Sequence, residues 1–347
     1  MSLVKKVLLP LAAAGVITVG ALGLISCNHS NNPIPETEEP GEVKPDYSAE
    51  KEVIRKAADR LVATQNNDGG WDWSLDADPT NASANNTIGV TAMGTLEGYV
   101  ITGKVEHKNA AINAYNLIQS WSSDSSWRIR GPDISFLVKL SEIQGNSAYA
   151  DLARAEYLEA LSKNGGTSGL VSLIKSKRTS LPALIPWDIN LYVKGALALN
   201  KKYPGEGFDA DARAMTEETY NSIYGASPDV DLSNTTQDYF LSIHTGAAES
   251  FALTGLHSDK KESLLADLLS RRESQGLFLD NYGDKDFQTT AYAIMSLLSG
   301  NNRSGSIKSA EYLRDSQESN GGWGVGINGE TEVDSEVAHA LGRYISE

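Results

Sequence analysis

Three aspartates, Asp188, Asp238 and Asp334, each stand where an apolar helical pattern begins. Other polar residues hold the matching place in similar segments: Asn85-Asn86-Thr87, Asp133, Gln288-Thr289 and Glu332. Carboxyl groups at set separations supply the acid and the base or nucleophile that glycoside cleavage requires. Several in one cleft raise one another's pKa, or offer oxygens to a hard cation such as calcium. Aromatic residues accompany them. Trp187 and Tyr239 adjoin Asp188 and Asp238, and Trp73 lies in the acidic loop 71–78. Flat rings with a polar edge suit the apolar faces of sugars. His244 and His339 fall inside apolar segments, and His339 shares a helical face with Ser335 and Glu336. Asp188, Asp238 and Asp334 are therefore candidate catalytic groups. Trp73, Trp187, Tyr239, His244 and His339 are candidate ligand contacts. N-capping competes for every Asp, Asn and Thr at a helix start, at about 1 kcal/mol each. A lone helical histidine is, by default, a satisfied core residue. No nucleophile elbow, HExxH, phosphate loop or dinucleotide fingerprint is present.

The elements that must position these residues come in pairs. Charged helical segments span 48–66, 107–121, 147–163, 207–223, 259–272 and 304–317. Segments rich in Ala, Gly, Leu, Ile and Thr follow each of them, at 87–102, 132–144, 187–201, 236–254, 287–299 and 333–346. Turn signals such as Asn164-Gly165-Gly166 and Tyr203-Pro204-Gly205 punctuate the series, and no alternating strand pattern is convincing. Charged helices belong outside and helices apolar on most faces belong inside. Six of each predict an all-α ring, an (α/α)6 toroid, whose inner helices all start at one end. Their positive ends then converge with the candidate residues on one central depression.

Two stretches near opposite ends of this region share a pattern, KAADRLVATQNNDGGW over 56–71 and KSAEYLRDSQESNGGW over 308–323. Leu61, Gln65, Gly69, Gly70 and Trp71 correspond to Leu313, Gln317, Gly321, Gly322 and Trp323. Glycine ends the helix in a left-handed cap, the indole folds back over the helix end, and the Gln amide ties down free backbone groups. Gln65, Gly70, Trp71, Gln317, Gly322 and Trp323 are thus expected to be structural. Weaker traces lie at Gln119–Trp127 and at Glu273-Ser-Gln-Gly276.

This pattern resembles the QW motif of the terpenoid cyclase and protein prenyltransferase superfamily. The later copy departs from it at Ser309, the earlier at Arg60, which replaces an aromatic. The resemblance implies the same α/α toroid and says little about chemistry. The DxDD acid of squalene–hopene-type cyclases is absent, since Asp76-Ala77-Asp78-Pro79 and Asp209-Ala210-Asp211-Ala212 both lack the final acid. No cysteine follows Cys27, which removes a prenyltransferase zinc site and a thioester. Extracytoplasmic toroids that act on polysaccharides, as lyases or glycosidases, remain, with toroids that carry an isoprenoid or a corrinoid.

Ahead of the helical region, Lys5 and Lys6 precede an apolar run that ends in Leu24-Ile25-Ser26-Cys27. This resembles a bacterial lipoprotein signal, with residues 1–27 removed up to a lipidated Cys27. Residues 28–47 are rich in Pro, Glu and Asn and read as a tether, and 48–347 as the toroid. The net charge of −15 disfavours nucleic acid as a partner. The expectation is a monomeric, envelope-located lipoprotein held to a membrane through Cys27. Its acidic, Trp-edged cleft is expected to bind and cleave a carbohydrate, the alternative being a non-catalytic toroid that binds a small ligand or another protein, and calcium is the one cofactor candidate.

Overall fold

The computed structural model describes residues 45–72, 80–124, 127–324 and 331–347. The segment up to 44, with Cys27, and the loop bearing Trp73 lie outside the described residues. Those described are all-α, apart from one isolated antiparallel bridge between Leu279 and Lys285.

Six helices form an inner ring: α2 (Ile88–Thr102), α4 (Gly131–Gln144), α7 (Ile185–Lys202), α9 (Phe240–Thr254), α11 (Phe287–Ser299) and α13 (Thr331–Ser346). Each packs on the next, and α13 packs back on α2, so the ring closes. Outside lie α1 (Ser48–Ala63), α3 (Val105–Ser122), α5 (Ala148–Asn164), α8 (Phe208–Tyr224), α10 (Ser258–Ser270) and α12 (Arg303–Asp315). This is the α/α toroid. The alternation of charged and apolar segments encodes it, because an inner helix touches protein on nearly every side. In α11 the whole stretch from Thr289 to Leu298 is buried.

Two differences from the sequence expectation stand out. A thirteenth helix, α6 (Thr167–Lys177), is inserted between α5 and α7, where only a loop was expected. Its first residue docks through Thr167 Oγ1, which donates to Asp211 Oδ1 on α8 at 2.9 Å. Helix α9 starts at Phe240 and not at 236, because Tyr239 adopts a left-handed backbone with φ of 60°. Asp238 and Tyr239 therefore sit on the rim before the helix.

The repeated turns are wall fasteners. Gln65 Nε2 donates to Gly69 O in its own turn and to Ala110 O on α3, each at 2.8 Å. Gln317 Nε2 donates to Gly321 O at 2.9 Å and to Val53 O on α1 at 2.8 Å. The second bond joins the last outer helix to the first. Trp71 and Trp323 are buried and donate from Nε1 to Leu61 O and Leu313 O. Gly69 and Gly321 have φ of 100° and 91°, and a Cβ on either would strike the backbone of the neighbouring outer helix, at Asn113 or Lys56. The trace at 273–276 forms the same turn, with Gly276 at φ of 105° against Lys308. There Arg272 replaces Gln and donates to Gly305 O on α12, while buried Phe278 replaces the indole. Arg60, the departure in the first motif, crosses the seam: NH1 donates to Asn320 Oδ1 at 2.7 Å, and Nε lies 3.3 Å from Asp334 Oδ2.

Candidate functional site

Each inner helix returns through an outer one, so the inner helices run parallel and their N-termini share one mouth. Backbone contacts there are close: Gly89 N on α2 donates to Asp133 Oδ1 on α4 at 2.9 Å. Burial lifts Asp133 to about 6, even with the N–H groups of Arg130 and Gly89 on its oxygens. It is a cap at the mouth.

Below the mouth sits Glu336. Its Oε1 accepts from Tyr292 OH at 2.6 Å and its Oε2 from Gln288 Nε2 at 2.8 Å. Burial pushes its pKa well above the usual carboxylate range, and the charge of Glu332, one turn earlier on α13, adds to this. Tyr292 is held neutral by the same burial and by Glu336. Trp187 stacks on Tyr292 with centroids 3.7 Å apart, and Lys194 Nζ lies 5.9 Å from the indole centroid. These residues, with Met93, Met295 and His339, line a central cavity of only about 60 Å³. Pockets for drug-sized ligands run from roughly 300 Å³ upward. This cavity thus has room for a few waters and not for a terpenoid.

The cavity floor is an ionic brace. Glu249 on α9 is fully buried and meets Lys194 Nζ at 3.2 Å, Asn190 Nδ2 at 2.7 Å and Arg343 NH1 at 3.0 Å. Burial alone would raise its pKa, but the charges of Lys194 and Arg343 overcome this and draw it down to about 2. Beside the brace, His339 Nδ1 contacts Glu97 Oε1 at 2.8 Å.

The sequence-predicted residues separate into three groups. Asp188 and Tyr239 share the rim. Asp188 is clamped by Arg178, with Nε to Oδ2 at 2.5 Å and NH2 to Oδ1 at 3.2 Å. The Asp188 hydrogen bond leads in raising the pKa of Arg178, and the charges of Tyr239 and Glu332 act in the same direction. Asp238 is also on the rim, accepting from Asn281 Nδ2 at 2.6 Å and Tyr282 OH at 3.1 Å. Trp187 and His339 line the cavity. Trp187 is no rim platform, since it is 6% exposed and Tyr292 covers its face. The remaining two placements are corrected. Asp334 is fully buried under Trp323, accepts the Trp323 N–H at 2.8 Å and faces Arg60, so it serves the seam and not the mouth. Burial lifts it to about 7, partly offset by Arg60 and that N–H. His244 turns outward and bonds Asp267 on α10 at 2.6 Å. Tyr292, Lys194, Glu249 and Arg178 escaped sequence reading. Tyr292, Lys194 and Glu249 lie five to nine residues into inner helices, and Arg178 follows the last turn of α6; no spacing from a helix start signals all four.

Among the described residues, no three His, Cys, Asp or Glu side chains are grouped so as to hold a metal ion. None of the described helices is long and apolar enough to cross a membrane.

Comparison with known proteins places this architecture among α/α toroids. The chain is similar to the type II terpene cyclase MstE from Scytonema, with geranylgeranyl dihydroxybenzoate bound: 15% identity, 86% of this chain, 97% of that one, TM-score 0.54. It is similar to the GH76A α-1,6-mannanase from Salegentibacter sp. HEL1_6, at 10% identity over 85% of this chain and 98% of that one, with TM-score 0.56. A UGL structure with dGlcA-Glc-Rha-Glc matches at 11% identity over 85% and 96%, with TM-score 0.59. At these identities the likeness is one of fold. No protein-family model matches the chain, and no curated protein matches it either.

Proposed function

We propose that this chain binds a glycan at the mouth of its toroid and cleaves it by general acid catalysis, as a glycoside hydrolase or polysaccharide lyase. Glu336 is the acid and Glu332 the partner carboxylate. The observation that carries this is Glu336, buried just below the mouth, with its pKa pushed up by burial and by the charge of Glu332. Two carboxyl groups whose environments push their pKa values apart are the signature of an acid–base pair. Tyr292 and Gln288 hold the Glu336 carboxyl in place, and Arg178 with Asp188 offers polar contacts at the rim. Mannanase and UGL relatives in fold support a saccharide, and the small volume of the cavity beside Glu336 argues against an isoprenoid there. The LISC sequence at Cys27 further suggests an envelope lipoprotein, so that the mouth would meet extracellular or periplasmic glycans. Mass spectrometry of membrane-extracted protein should find a lipidated Cys27, and an intact Met1 would remove the anchor from the proposal.

A second reading has one specific observation behind it. Both Glu336 oxygens already hold hydrogen bonds, which suits a binding toroid without turnover. A panel of neutral and acidic polysaccharides, with products followed by mass spectrometry, separates the two. Turnover lost in Glu336→Gln with glycan still bound supports catalysis. Binding with no turnover in the wild type supports the second reading. An isoprenoid or corrinoid that binds where no glycan does would end both.

A further inference from the structure

The inserted helix α6 encloses a second cavity that closing the ring does not require. It measures about 140 Å³, and its lining includes Asn85, Trp127, Arg128, Arg130, Lys177 and Tyr192. Three of these carry positive charge, and no Asp or Glu lines it, although the chain's net charge is −15. Two N–H groups there, Trp127 Nε1 and Arg130 Nε, are buried without an acceptor among the described residues. Buried donors without partners are rare and call for a specific explanation. Arg130 has one long side-chain contact, NH2 to Asn85 Oδ1 at 3.5 Å. The adjacent carboxylate, Asp133, already accepts the backbone N–H groups of Arg130 and Gly89. Tyr192 OH is engaged with Ile129 O at 3.1 Å, which fixes the wall. Lys177 extends the positive side from the exposed end of α6.

We propose that this pocket binds an oxyanion carried by a small molecule: a carboxylate such as that of a sugar acid, or a sulfate or phosphate group. The Arg130 Nε–H and the Trp127 indole N–H, both without acceptors among the described residues, present donors that an oxyanion accepts. Two flanking cations supply the charge. The pocket shares no lining residue with the central cavity. It would take its oxyanion whether or not the mouth takes a glycan.

The test is calorimetric titration of the full chain with glucuronate, sulfate and phosphate at constant ionic strength, with glucose and chloride as controls. Saturable binding of at least one oxyanion is expected. Arg130→Gln and Lys177→Gln should each weaken it by roughly tenfold or more, as loss of one charge-assisted hydrogen bond implies. Trp127→Phe keeps the ring, removes the N–H, and should weaken it less. Lys177 is exposed at the end of α6, so its substitution should leave the fold intact and keeps the test decisive. Glucuronate binding alone identifies a sugar acid, and sulfate or phosphate binding alone a free or ester anion. Either supports the site. No binding above chloride, equal binding of glucose, or affinity unchanged in both charge variants would overturn it.

Discussion

Two buried glutamates near the axis of the toroid behave in opposite ways. Glu249 meets two cations and an amide, and loses its proton far below neutral pH. Glu336 meets a phenol and an amide, and burial with the charge of Glu332 pushes its pKa well above the usual carboxylate range. Lys194 acts on both, since its charge lowers the pKa of Glu249, where it leads the opposition to burial, and also that of Glu336, where burial and Glu332 prevail. The lesson is that burial does not decide a carboxyl group's role. Compensated burial makes a brace between helices α7, α9, α11 and α13. Uncompensated burial makes a neutral acid, which is costly to keep for stability alone.

The largest expected effect lies in the brace. Glu249→Gln takes the carboxylate from Lys194 and leaves Arg343 with Glu347 alone, and should cost about 3–5 kcal/mol in chemical denaturation. Lys194→Met removes one cation and its hydrogen bond. It should cost about 1.5–3 kcal/mol and push the Glu336 pKa higher still. If either variant keeps the wild-type midpoint, the brace is not structural.

A smaller, pH-dependent effect separates the two glutamates further. Asp334 and Glu336 both have folded pKa values above their unfolded values, from 3.8 to about 7 for Asp334. The folded state therefore binds protons more tightly across this window. Their contribution is full below pH ~4; that of Asp334 is lost as pH rises through about 7, and that of Glu336 as pH rises through its own raised folded pKa. Glu249 has the reverse sign: its contribution is present at neutral pH and disappears only as pH falls toward about 2. Denaturation midpoints measured from pH 5 to 9 should decline, and the decline should be shallower in Asp334→Asn and in Glu336→Gln. The smallest stability change belongs to Glu336→Gln at neutral pH, within about 1 kcal/mol, since the amide replaces an already neutral group of the same shape. Activity, not stability, should register that change.

The ring was legible in the sequence because inner and outer helices differ in composition over whole segments. Its fasteners were legible because Gln, Gly and Trp recur at fixed spacing. Helix α6 was not, since its short, mixed sequence follows Asn164-Gly165-Gly166 and matches neither class. The site was legible only at helix starts, as with Asp188 and Tyr239. Deeper residues were hidden because a helix buried on all sides gives no sign of which face looks to the axis. His244 and Glu249 lie five residues apart on α9, yet one faces the outer helix α10 and the other the inner network. The same limit placed Asp334 at the mouth, although Trp323 folds over it.

The protonation state of Glu336 is measurable by carbon-detected NMR of side-chain carboxyl groups in protein labelled at glutamate, with Glu336→Gln and Glu249→Gln as assignment controls. The Glu336 resonance should titrate well above the usual carboxylate range and disappear in the Glu336→Gln variant, while that of Glu249 should titrate only near pH 2. A Glu336 resonance that titrates with an ordinary midpoint near 4.5 would contradict the account, because the mouth would then hold no acid to donate.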